Sequence, residues 1–68
     1  MSADNVIVVK KQEDKFFVWH DFMSILEEQE ECVPPTDSKK FDSLEEALED
    51  AGAMSRDYDT EYGIAVVE

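Results

Sequence analysis

Three stretches of this chain, "VIVV" at residues 6–9, "FFVW" at residues 16–19 and "IAVV" at residues 64–67, are apolar at every position. Successive side chains of a strand point to opposite faces of its sheet, so each stretch is apolar on both faces. Val6 and Val8 face one way, Ile7 and Val9 the other. Phe16 and Val18 oppose Phe17 and Trp19. Ile64 and Val66, with Tyr62 ahead of them, oppose Ala65 and Val67. A sheet made of these strands needs cover on two sides, or it leaves a patch of the kind that marks an interface.

The clearest cover is "DSLEEALEDAGAMSRD", residues 42–57. Ser43 and Glu46 have the spacing of a capping box, in which hydroxyl and carboxylate each accept from the other residue's backbone N–H. Leu44, Ala47, Leu48, Ala51 and Met54 or Ser55 recur at three and four residues and form one apolar stripe. Acids in the first turn and Arg56 in the last suit the helix dipole. The pattern predicts a helix over residues 44–54. Gly52 weakens it by roughly 1 kcal/mol relative to alanine.

"NVIVVKKQEDKFFVWHD" reads as a β-hairpin, its polar "KQED" lacking the Asn-Gly or Asp-Gly of the tightest turns. A loop of three to five residues is expected. With a last strand over residues 61–67, the order is β-β-α-β. A right-handed crossover would place that strand beside the first and parallel to the second. The expected fold is therefore a small α+β domain, a three-stranded sheet of order 2-1-3 with one helix packed on one face, and residues 1–68 form a single domain.

One helix covers one face, so residues 21–38 matter. Phe22, Ile25, Leu26 and Gln29 have helical spacing, and Asp21 is placed to cap. The run "EEQEE" offers no basic partner and opposes a helix by like-charge repulsion. Pro34 and Pro35 end any helix by residues 31–33. The segment reads as either a short helix or an acidic loop. Phe22, Met23, Ile25 and Leu26 can form a lid on the second face; failing that, a second copy or another protein covers it.

Charge decides which partners are reasonable. Eighteen acids face six bases, a net charge of −12. Between Phe16 and Ser38 lie six acids and no lysine or arginine, and between Phe41 and Ser55 five acids and none. Phosphate binding needs clustered Lys and Arg, so nucleic acid is not an expected ligand. No apolar run approaches the roughly 20 residues of a membrane helix. "MSADNVIVV" lacks a basic segment ahead of its apolar run, and the single Cys32 allows no internal disulfide. A cytoplasmic protein that does not bind membranes is expected.

Candidate chemistry is sparse. In "DYDTEYGIAVVE", Asp57, Asp59 and Glu61 alternate and Glu68 stands twelfth, as in an EF-hand calcium loop. The sixth position, where glycine makes the turn, is Tyr62, and no exiting helix follows. His20 and Cys32 form a nucleophile pair only if adjacent and oriented by a third group. They are also too few for a zinc site. Gly52 and Gly63 are isolated and form no phosphate loop. No catalytic residue, cofactor or metal site is expected.

What remains is the acidic surface. Glu27, Glu28, Glu30 and Glu31, with Glu45, Glu46, Glu49 and Asp50, are the candidate partner-binding residues. They suit a non-catalytic interaction or regulatory module that docks a basic protein, possible mimicry of nucleic acid included. The alternative is a salt-adapted structural protein or homodimer without a ligand.

Overall fold

A computed structural model describes residues 4–28 and 33–67, the side chain of Glu27 excepted. Its elements are β1 (Asn5–Gln12), β2 (Lys15–Phe22), α1 (Met23–Glu28), β3 (Lys39–Phe41), α2 (Leu44–Tyr58) and β4 (Ile64–Val67). They make a small α+β domain: a four-stranded mixed sheet of order β3-β2-β1-β4 with one main helix packed against it.

The most β-branched strand, β1, lies in the middle, as its apolar faces require. It pairs antiparallel with β2 from Asn5↔Phe22 to Gln12↔Lys15. The hairpin turn therefore holds only Glu13 and Asp14, shorter than the three to five residues expected from "KQED". Eight-residue strands in full register leave no room for more. Glu13 accepts a left-handed φ of 59° to close the turn, a position where glycine would be unstrained.

The expected three-stranded sheet of order 2-1-3 is corrected by one short element. β3 adds to the free edge of β2, with Phe16↔Phe41 and Val18↔Lys39 in antiparallel register. This extra reversal changes the direction of everything after it. α2 now connects β3 to β4, and β4 runs parallel to β1, not to β2 as the crossover from β2 implied. The neighbour was right and the direction inverted.

Cover comes from both sides. On one face Ile7, Val9 and Val18 pack with Ala47 and Ala51 of α2, joined by Phe16, Phe41 and Met54. On the other, Val6, Val8 and Trp19 pack with Phe17, Ala65 and Val67, and Met23 and Leu26 of α1 close over them. The one-helix layer is thus corrected to two helices on opposite faces. Asp4 helps seat α1: its carbonyl accepts from Met23 N–H at 2.7 Å and its Oδ2 from Ser24 N–H at 2.8 Å. Asp21, the expected cap, instead accepts from the Trp19 indole Nε1–H at 3.0 Å and from Phe22 N–H at 2.8 Å.

α2 starts where the capping pattern places it. Ser43 Oγ accepts from Glu46 N–H at 3.2 Å, the first of the two bonds of the box. The helix outruns its expected end by a turn and stops at Asp59, whose φ of 51° is the left-handed cap conformation. Asn5 then ties this end to the sheet. Its Nδ2–H donates to the Tyr58 carbonyl at 3.1 Å, and its Oδ1 accepts from Glu61 N–H at 3.0 Å.

The apolar stripe on α2 needs one correction. Ala47 and Ala51 are fully buried, but Leu44 is 40% and Leu48 37% exposed. Two alanines let the helix backbone sit close above β1 and β2, and the leucines, turned to its flank, overhang the sheet rather than meet it.

Candidate functional site

The candidate acids among the described residues do not form one surface. α1 and α2 lie on opposite faces of the sheet, so Glu28 is separated from Glu45, Glu46, Glu49 and Asp50. Glu28 is exposed at the end of α1, while Glu30 and Glu31, like Cys32, lie outside the described residues. Glu45, Glu46 and Glu49 are exposed on α2. Asp50 is half-buried, and its Oδ1 accepts from Lys39 Nζ of β3 at 3.1 Å. Its charge is engaged inside the fold, and its Oδ2 is buried without a hydrogen-bond partner.

That ion pair also orients the helix. Asp50 faces β3. Ser55, 140° away around a 100°-per-residue helix, faces the other way: its hydroxyl meets Thr60 Oγ1 at 2.6 Å, just ahead of β4. Leu44 and Leu48 lie within about 20° of Ser55 on the same flank. They overhang the β4 side of the sheet. Ile64 and Val66 pair with Ile7 and Val9 and share their face. There they remain 38% and 53% exposed. Leu44, Leu48, Ile64 and Val66 thus border one uncovered aliphatic strip, with the exposed Glu45 next to Leu44 on the helix and Glu61 three residues ahead of β4.

The signal for this strip was in the sequence as "IAVV", but only the direction of β4 and the roll of α2 reveal which of its side chains stay uncovered.

The other sequence-predicted motifs take structural positions. Asp57 belongs to the last turn of α2 and Asp59 is its cap, so the calcium-loop spacing is spent on ending a helix. Among the described residues no three His, Cys, Asp or Glu side chains gather to hold a metal. His20 stacks on Tyr58 at a centroid distance of 4.4 Å and meets Phe22 edge-on at 5.3 Å, its Nε2 buried without a hydrogen-bond partner. A cleft of about 270 Å³ runs beside it, bordered by Asp37, Lys39 and Met54. No helix among the described residues is long and apolar enough to cross a membrane.

One exposed ion pair shifts the titration of both its members. Lys15 Nζ donates to Asp42 Oδ1, joining β2 to the entry of α2. That hydrogen bond, then the charge attraction, holds the Asp42 carboxyl below its usual range and raises the Lys15 ammonium above its own. The depressed Asp42 contributes stability above its unfolded-state value, and this is lost as pH falls through the folded value. The raised Lys15 contributes below its unfolded-state value, lost as pH climbs through the folded one. Both groups are exposed, so solvent keeps the effect small. The melting temperature of Asp42→Asn should sit slightly below that of the parent at neutral pH, and the gap should close as pH falls through the folded-state value of Asp42. A gap independent of pH would show that the pair contributes nothing.

Comparison with protein-family models, with curated proteins and with solved structures finds no match to any of them.

Proposed function

We propose that this domain acts by binding, as a non-catalytic interaction module whose acidic surface docks a basic partner protein. The observation that carries this reading is the exposure of Leu44 and Leu48 on the same helix as the exposed Glu45, Glu46 and Glu49. A helix that merely caps a sheet would turn its leucines inward. Here they flank an acidic face, and among the described residues no ion pair engages the three glutamates. Long-range attraction steers a basic protein to such a surface, and the aliphatic strip supplies contact that outlasts salt screening.

The test neutralises the acids without disturbing the helix. Glutamine has nearly the helix propensity of glutamate and can serve in the capping box, so Glu45, Glu46 and Glu49→Gln should melt close to the parent. Its relief of like-charge repulsion offsets the lost attraction of the first-turn acids to the helix dipole. Captured from the native host at about 0.1 M salt, partners of the parent should be basic proteins that release as salt approaches about 1 M, where screening acts within about 3 Å. The triple-glutamine protein should retain few of them. Equal retention by both proteins, or partners without basic character, would defeat the reading.

A further inference from the structure

The two edges of the sheet are built differently. β3, at one edge, is three residues long and presents Lys39 and Lys40, both exposed. Short edges and lysines are the usual guards against another strand pairing there. β4, at the other edge, is "IAVV", without charge, and among the described residues no strand lies on its outer side.

Its backbone is also turned outward in a defined way. Ile7 N–H donates to the Gly63 carbonyl at 2.9 Å, and Ile7 is the register partner of Ile64. In a parallel ladder this fixes the alternation: residues 63, 65 and 67 bond β1, while Ile64 and Val66 direct their N–H and C=O away from it. The same two residues carry the exposed aliphatic side chains, with Leu48 and Leu44 above them. Donors, acceptors and apolar contact therefore coincide at one edge.

We propose that this edge accepts an extended segment of another protein, aliphatic at alternate positions and flanked by lysine or arginine, which joins the sheet beside β4. The partner's charge rests on the acidic-docking reading above; the strand geometry does not. Glu45 follows Leu44 on the helix, Glu61 precedes β4, and Lys10 lies opposite Val67. A second copy of this chain would bring a net charge of −12 against −12, which opposes self-pairing. A basic strand meets the same surface with attraction. Main-chain bonds hold such a segment, and alternate side chains select it.

Two synthetic peptides of about ten residues and identical valine–lysine composition test this by NMR. In one, valine alternates with lysine; in the other, valines recur at three and four residues, the helical period. The alternating peptide should bind saturably, shift the Ile64 and Val66 amides and slow their exchange, and the helical-period peptide should bind at least about tenfold more weakly. Val66→Pro removes an outward N–H and no bond to β1, so it should keep the parent melt and lose at least about tenfold in binding. Val66→Lys, which places a guard of the β3 kind on β4, gives the same test should the proline disturb the strand.

Saturable binding of both peptides that shifts Glu45 and Glu49 but leaves Ile64 and Val66 unmoved would overturn the strand inference and leave acidic docking standing. Binding by neither peptide would overturn both. A dimer in light scattering, with the Ile64 and Val66 amides already protected, would assign the edge to a second copy instead.

Discussion

Ala51→Asp is expected to abolish the cooperative thermal melt, while Leu48→Asp, three residues earlier on the same stripe, leaves it intact. Ala51 is fully buried where α2 meets Ile7, Val9 and Val18. A carboxylate buried among these aliphatic side chains costs several kcal/mol to desolvate. A domain this small has about 5 kcal/mol of stability to lose. Leu48 is 37% exposed, and an aspartate in its place can keep its charge in water. Its loss should be roughly 1 kcal/mol, about 4–8 °C in melting temperature. Circular dichroism melts of both variants check this. Comparable damage from the two would mean that the leucines, not the alanines, seat the helix.

The second large effect is expected from α1. Met23 and Leu26 are the side chains by which this short helix closes the face formed by Val6, Val8 and Trp19. Both are partly buried, so replacing them with serine should remove roughly 2–4 kcal/mol in total. It should also open an apolar surface that promotes association. The chain has one tryptophan, and Trp19 is only 6% exposed, so its emission reports the cover directly. The double variant should show red-shifted emission and increased binding of hydrophobic dyes. Phe22 and Ile25 are 45% and 44% exposed, and serine at those two positions should leave the emission near the parent value. Unchanged emission in the Met23 and Leu26 double variant would remove α1 from the core.

These two helices also show what could be read from residues alone. The need for two-sided cover was legible in "VIVV" and "FFVW", because strict alternation assigns each side chain a face. The start of α2 was legible in Ser43 and Glu46, a local signal independent of the rest of the chain. β3 was not. "KKF" has two lysines, no alternation and no turn signal of its own, and it becomes a strand only because Phe41 packs beside Phe16 in the α2 layer. Missing it reversed β4, since strand direction is counted from every turn before it. Roll around the helix axis was equally hidden. Periodicity marks a stripe from Leu44 to Met54, but only the sheet decides which part of that stripe it touches. The candidate acids fared likewise: Glu28, Glu45, Glu46 and Glu49 are exposed as charged side chains ordinarily are, whereas the separation of Glu28 from the α2 acids depends on where α1 and α2 dock.

The parallel pairing of β1 with β4 ties Asn5 to Glu61 across 56 residues. This has a consequence for how the molecule forms. The β1–β2 hairpin is local and can close within about 1–10 μs. The inner edge of β1 then waits for the far end of the chain, with Val6 to Val9 unprotected. At roughly 5–20 residues per second, a ribosome leaves that edge open for seconds before residues 64–67 emerge. Four consecutive β-branched residues on an open edge are a site for wrong pairing. The acids that fill the intervening sequence keep nascent copies apart during that interval by mutual repulsion. The same charge that shapes the finished surface therefore acts first as protection for an unfinished sheet.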